Sequence, residues 1–139
     1  MILVERNVGR LIEGVVATPI DVAEAEAGVQ RIRLTVLSAP ARAICCIDAT
    51  GLKLLPSSVS ETFVALFTRD NPRIECSAFL LSRRASGVGL QLDRMLREAG
   101  HPARRSFDDR DAMSAWLEPM LTIEERDRLR AFLRSRPAP

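Results

Sequence analysis

The sequence has few of the residues and segments on which several functions depend. His101 is the only histidine among the 139 residues, and Lys53 is the only lysine among the 20 basic residues. No apolar stretch approaches the ~18 residues that a membrane-spanning helix needs. The first residues, MILVERNVG, lack the basic and apolar regions of a secretory signal. These absences predict a cytoplasmic protein that does not cross a membrane.

Catalytic motifs are absent as well. The sequence has no Ser/His/Asp order and no HExxH, Walker or GxGxxG pattern. His101 lies in the segment EAGHP, which reads as a turn after a helix. Because no set of acid, base and nucleophile can be assembled, we expect no enzyme, no catalytic residues and no cofactor.

The three cysteines indicate packing rather than chemistry. Cys45, Cys46 and Cys76 lie in apolar, strand-like segments, and their number is odd and their spacing unlike that of metal ligands. Adjacent Cys45 and Cys46 should point to opposite faces of one strand. We therefore expect reduced, buried thiols and no metal site.

Composition is that of one globular domain. Apolar residues make up 47% of the chain and charged residues 27%, which fits neither a disordered nor a membrane protein. The net charge of +2 is too small to favour a nucleic-acid partner. Abundant Arg and Ala indicate a GC-rich bacterial genome.

Apolar periodicity and turn residues predict alternating strands and helices. The predicted elements are a hairpin over 2–16 turning near Asn7–Gly9, a helix over 19–37, a strand over 43–47, a helix from about 58 to 71, a strand over 73–81, a helix from about 87 to 100, a strand over 104–107, and two further helices. Residues 31–37 also alternate as a strand would. The order predicts an α/β fold with a mixed, mostly parallel sheet covered by helices and an antiparallel N-terminal hairpin.

Helix starts are predicted from capping residues. The predicted N-cap residues are Thr18, Ser58, Asp108 and Thr122. Ser58 with Glu61, and Thr122 with Glu125, have the spacing of a capping box. Gly100 is predicted to end the helix before it.

Polar residues follow the predicted strands and should meet at the carboxyl edge of the sheet. They are Asp48, Thr50, Gly51, Ser57 and Ser58 after one strand, Ser82, Arg83, Arg84 and Ser86 after the next, and Asp108 and Asp109 after the last. Asp48 is interpreted either as a charged lip of a site or as an acceptor for loop amides. Arg83 and Arg84 either bind an anion or form a solvated loop.

The segment after the central strand resembles a known family. Residues 48–51 (DATG), the spacer 52–55 and residues 56–59 (PSSV) are similar to the D-L-S-G, spacer, D-S-S-G-L pattern of anti-sigma-factor antagonists in the STAS domain family and its SpoIIAA-like relatives. Pro56 stands in place of an acidic residue and Val59 in place of a glycine. The element order also resembles this family, over residues 2 to about 117.

The resemblance implies a function in bacterial signalling. It implies a protein-interaction domain that binds a kinase, an anti-sigma-like protein or another signalling protein through the central loop and the helix after it. Ser58 matches the serine that is phosphorylated in antagonists, with Ser57 as the fallback acceptor, although its position is explained more simply as an N-cap. The alternative is an unmodified scaffold, or a module that binds an anion or small ligand near Asp48, Arg83 and Arg84.

The last helix lies outside the resemblance, so residues 1–117 are predicted as the STAS-like domain and 118–139 as an appended helix and loose tail of the same domain. Its arginines alternate with acidic residues, which is typical of a solvated face. A helix added to a complete domain can also pack against a partner or a second copy, so a homodimer remains an alternative. Residues 135–139 are expected to be loose.

Overall fold

The computed structural model describes residues 1–139, with the exception of the Ser86 side chain. The strands are β1 (Ile2–Val8), β2 (Leu11–Val16), β3 (Ala43–Asp48), β4 (Ile74–Leu80) and β5 (Arg104–Phe107). The α-helices are α1 (Val22–Leu37), α2 (Ser57–Asp70), α3 (Ser86–Ala99), α4 (Arg110–Leu117) and α5 (Ile123–Arg134). Short 3-10 turns, Asn71–Arg73 and Glu118–Met120, follow α2 and α4.

The strands form one sheet in the order β1-β2-β3-β4-β5. β1 is antiparallel to β2, and the other neighbouring strands are parallel. Helices α1, α2 and α3 each connect two neighbouring parallel strands, as parallel pairing requires. The predicted α/β class, mostly parallel sheet and N-terminal hairpin are confirmed, and residues 31–37 are helical.

The hairpin turns at Gly9 and Arg10, slightly later than predicted. Gly9 has φ +55°, a left-handed conformation that favours glycine. A Cβ at this position would also collide with the Glu125 carboxylate. That carboxylate accepts a hydrogen bond from Arg10 N at 2.7 Å, so the hairpin turn contacts the first turn of α5 directly.

Three predicted helix starts are wrong and one is confirmed. α1 begins at Val22 with Asp21 as N-cap, because Thr18 uses its hydroxyl to bond the loop after β3 instead. Asp109 rather than Asp108 caps α4, since strand pairing continues through Phe107. The third, at Ser58, is described with the site below. The Thr122–Glu125 capping box is present, and Gly100 ends α3 with φ +80° as predicted.

Each face of the sheet has its own apolar core. On one face, α1, α2 and α3 contribute buried side chains that include Val29, Phe63, Leu66, Leu92 and Met95. On the other face, α4 and α5 cover strand residues, and the buried side chains include Leu11, Ile44, Leu80, Met113 and Leu129. Cys45 and Cys46 belong to different core clusters, as their alternation predicts.

Helix α5 is part of the second core. Leu129, Phe132 and Leu133 are buried against the sheet, while Ile123, the first residue of the helix, is 76% exposed. The helix contacts β1 and β2. The apolar side of α5, for which a partner or a second copy was one predicted neighbour, therefore packs against this chain's own strands.

An ion pair with a buried carboxylate attaches α5 to β2. Glu13 on β2 is 2% exposed, and its carboxylate accepts hydrogen bonds from Arg128 Nη2 at 2.6 Å and Nε at 2.7 Å. Asn7 Nδ2 donates to the same carboxylate at 3.1 Å. Arg128 is thus not one of the solvated arginines predicted for this helix. Arg130 pairs with Glu118 at the surface.

Candidate functional site at the carboxyl edge of the sheet

Asp48, the last residue of β3, is buried, and both of its carboxylate oxygens accept hydrogen bonds from this chain. Its Oδ1 accepts from Thr50 N at 2.9 Å and Thr50 Oγ1 at 2.6 Å. Its Oδ2 accepts from Arg136 Nε at 2.7 Å, and the Asp48 side chain is only 1% exposed. Of the two interpretations offered by the sequence, the structure therefore favours the acceptor for loop groups over the charged lip.

Residues 135–139 were expected to be loose, and this expectation is wrong for Arg136 and Pro137. Arg136 is bound to Asp48, and the carbonyl oxygens of Arg136 and Pro137 accept hydrogen bonds from Arg110 Nη2 at 3.2 and 2.6 Å. The segment is held because α5 runs along the sheet and ends beside the carboxyl end of β3. Nothing in the local sequence marks Arg136 as a partner of Asp48.

The environment of Asp48 predicts a pH effect. Burial alone would raise the pKa of Asp48, but hydrogen bonds from Thr50 and the ion pair with Arg136 hold this pKa below its ordinary value of 3.8. Because the folded chain favours the ionised form, Asp48 adds stability above that value, which is lost as the pH falls through the lowered pKa.

We expect Asp48→Asn to be less stable than the parent at about pH 7 and to approach it at about pH 3, since the parent then loses the contribution of the ionised carboxylate. Urea titrations at both pH values measure the difference in the free energy of unfolding. A difference between parent and variant that is the same at both pH values would contradict the assignment.

The loop between β3 and α2 is held at three points. Thr50 is bound by Asp48, as described above. The Thr18 hydroxyl donates to Gly51 O at 3.2 Å and accepts from Lys53 N at 3.1 Å. On α3, the Gln91 amide exchanges two hydrogen bonds of 2.9 Å with the backbone of Leu55. A Cβ at Gly51 would lie 2.9 Å from Ala17 Cβ, so glycine allows this close approach.

Ser57 and Ser58 are exposed in the first turn of α2, and the predicted capping box at Ser58 is wrong. The helix begins at Ser57, with Pro56 in extended geometry (φ −57°, ψ 150°) at the N-cap position. Ser58 is helical, whereas a capping residue needs a non-helical backbone. Among the described side chains, none caps α2. Neither serine is thus needed to start the helix.

The loop between β4 and α3 is tied to the loop after β5. Arg83 Nε donates to Asp108 O at 3.1 Å, and its guanidinium lies 3.7 Å from the Asp109 carboxylate. Arg83 therefore joins two loops, while Arg84 is exposed. Ser86 begins α3, and its side chain lies outside the described residues.

An open, shallow groove separates the loops after β3 and β4. Its lining residues are Thr50, Gly51, Leu52, Lys53, Leu54, Ser82, Arg84, Ala85, Gly87 and Val88. The charged residues in this lining are Lys53 and Arg84, and both are cationic. Leu54, at its rim, is 65% exposed. The groove thus combines positive charge with one accessible apolar side chain.

The predicted edge residues are divided between the two faces of the sheet. Asp48 shares its face with Ile44 and Cys46, under α4 and α5, whereas Ser57, Ser58 and the groove lie at the ends of α2 and α3. Sequence reasoning missed Thr18, Gln91 and Arg136. Only Gln91 could have been recognised from the sequence, because it follows Val88 by three positions and therefore lies on the same, inward side of the predicted helix.

His101 and the cysteines lie apart from this edge. His101 bonds to Ile74 O and Ala103 N beside the start of β4, at the opposite edge of the sheet. Burial raises the pKa of the Cys45 thiol to about 11 and that of Cys76 to about 12. Thiols with such pKa values are poor nucleophiles at neutral pH, and the predicted packing role is consistent with their burial.

No protein-family model matches the chain, and no curated protein sequence matches it. Among the helices of the described residues, none has the length and apolar character to cross a membrane.

Proposed function

We propose that this chain is a protein-interaction domain of STAS or SpoIIAA-like type, in which phosphorylation of Ser58 controls the binding of a signalling partner. The observation that carries the proposal is the exposure of Ser57 and Ser58 at the uncapped start of α2. Residues exposed without a structural duty at a strand-to-helix loop are candidates for function.

The amino end of α2 would accommodate a phosphate. The first backbone N–H groups of a helix have no partner within it, and the helix dipole places positive charge there. The first turn of α2 contains no acidic residue. A phosphoserine adds about −1.5 to −2 charges, so the modification would change the charge of this surface while leaving the core in place.

The groove lined by the loop that precedes Ser58 in the chain suits a partner with an apolar and an acidic group. Leu54 offers an apolar contact, and Lys53 and Arg84 offer positive charge. The loop that presents them is held by Asp48, Thr18 and Gln91, so little ordering is needed on binding. Because the groove is open, it suits a protein segment better than a small molecule, which a pocket would largely enclose. Phosphorylation would repel the acidic group and release the partner.

The test starts from partners captured from a host extract by the unmodified protein. We expect Ser58→Asp to weaken binding by about tenfold, because like charges across an interface are strongly unfavourable. Leu54→Ala should also weaken it, whereas Leu34→Ala, on α1 and equally exposed at 67%, should not. Affinities measured with the purified partner give the comparison.

Modification is measured separately by mass spectrometry after incubation with ATP and host kinases. Phosphate found on Ser58 in the parent and absent from Ser58→Ala supports the switch. Phosphate found on Ser57 in Ser58→Ala would identify Ser57 as the fallback acceptor. If both serines stay unmodified and Ser58→Asp binds each partner as the parent does, the switch is refuted.

A further inference from the structure

A single buried carboxylate joins the 135–139 segment to the loop that precedes Ser57. Asp48 Oδ2 is bound by Arg136 Nε, and Asp48 Oδ1 is bound by the amide and hydroxyl of Thr50. The Arg136 side chain is 28% exposed and therefore reachable from solvent, whereas that of Asp48 is 1% exposed. Arg136, which solvent can reach, is thus linked through the buried Asp48 carboxylate to Thr50 in the loop.

The state of Asp48 depends on Arg136. If Arg136 withdraws, Oδ2 becomes a buried charge without its partner, which is strongly unfavourable. The chain can relieve this by protonating the carboxylate, by admitting water or by turning the carboxylate towards solvent. Each of these changes weakens or displaces Oδ1 as an acceptor, and with it the two bonds that hold Thr50 at the start of the loop.

The other anchor of the segment is incompletely satisfied. Arg110 donates to the carbonyls of Arg136 and Pro137, but its buried Nε has no hydrogen-bond partner among the described residues. A buried donor without a partner destabilises the closed arrangement. Opening the segment would let water reach this donor, which lowers the cost of release.

We propose that residues 135–139 form a strap that locks the loop between β3 and α2 through the Arg136–Asp48 pair, and that withdrawal of the strap loosens this loop. The coupling itself is independent of phosphorylation. Its regulatory meaning, control of the conformation of the loop that precedes the already exposed Ser58, rests on the proposed function.

Hydrogen exchange measured by mass spectrometry on the unmodified chain tests the strap. In Arg136→Ala we expect the amides of residues 50–55 to exchange about tenfold faster, because the loop opens locally rather than through global unfolding. Peptides from strand β4 should exchange as in the parent. Arg134→Ala, an exposed arginine at the end of α5, is the matched control and should leave the loop unchanged.

Two further variants separate the strap from a general loss of stability. Arg136→Ala in an Asp48→Asn background should add little to the exchange of the loop, because both changes break the same link. Arg110→Ala should accelerate loop exchange in the same region as Arg136→Ala. The strap is refuted if loop exchange in folded Arg136→Ala equals that of the parent, or if exchange rises equally across the sheet.

The link to the switch has its own measurement. If a kinase binds the loosened loop better than the locked one, phosphorylation of Ser58 should be severalfold faster in Arg136→Ala than in Arg134→Ala. Faster loop exchange in Arg136→Ala with an unchanged rate of Ser58 phosphorylation would support the strap but refute its regulatory role. Absence of phosphorylation in every variant would refute the switch and leave the exchange result standing.

Discussion

Replacing Arg128 with alanine should lower the free energy of unfolding by about 2 kcal/mol, because the buried Glu13 carboxylate loses its charged partner. The Glu13 side chain is 2% exposed and accepts two short hydrogen bonds from Arg128. The Arg128 side chain is 34% exposed, so solvent screening keeps the loss below the ~3–5 kcal/mol of a fully buried pair. Asn7 alone would remain as a donor to the carboxylate. Urea unfolding at neutral pH measures the loss.

Arg130 is the matched control for Arg128. It lies on the same helix and also pairs with a glutamate, Glu118, but these side chains are 53% and 30% exposed. Exposed ion pairs contribute little, so Arg130→Ala should cost less than about 1 kcal/mol. Adding Glu13→Gln to Arg128→Ala should recover part of the loss by removing the unpaired charge. Equal losses in the two arginine variants would contradict the assignment.

Leu129→Ala should destabilise the chain by about 3 kcal/mol, through lost burial and the cavity left behind. Leu129 is fully buried in the core between the sheet and helices α4 and α5. The expected loss would mean that α5 folds with the domain. Thermal or urea unfolding followed by far-UV circular dichroism provides the measurement, and one cooperative transition is expected for both proteins.

Ile123 provides the control on the same helix. Its side chain is 76% exposed, and Ile123→Ala should change the stability by less than about 0.5 kcal/mol, as surface substitutions usually do. If Leu129→Ala cost no more than Ile123→Ala, α5 would be an appended helix after all, as the sequence suggested. Both changes shorten an aliphatic side chain to alanine, so the comparison isolates burial.

The α5 result bears on the strap as well. Arg128 fixes the middle of α5 to β2, and Glu125 fixes its start to the hairpin turn. With the helix held at these points, its end is positioned beside the carboxyl end of β3, where Arg136 meets Asp48. The strap is therefore a consequence of how a fully packed helix ends, and weakening Arg136 should leave the rest of α5 in place.

The candidate site shows what a local pattern can and cannot predict. Asp48, Thr50 and Gly51 were expected at a strand-end loop, and they lie there. The S-x-x-E spacing at Ser58 predicted an N-cap, yet Pro56 is the N-cap residue, and Ser58 lies inside the first turn of the helix without capping it. A capping pattern identifies residues able to cap, while the path of the preceding loop, fixed here by Gln91 and Thr18, determines where the helix starts.

The sequence by itself determined the order and type of the elements, the mostly parallel sheet, the opposite orientation of Cys45 and Cys46, and the Thr122–Glu125 cap. Each of these depends on residues close in the chain, whose periodicity is readable locally. Only the tertiary structure decided that α5 belongs to a core and that Arg128 and Arg136 are partners of buried carboxylates. Those pairs join residues 115 and 88 positions apart. The local sequence does not distinguish Arg128 from Arg130 or Arg136 from Arg134, and only the path of the chain selects the arginines that meet a buried acid.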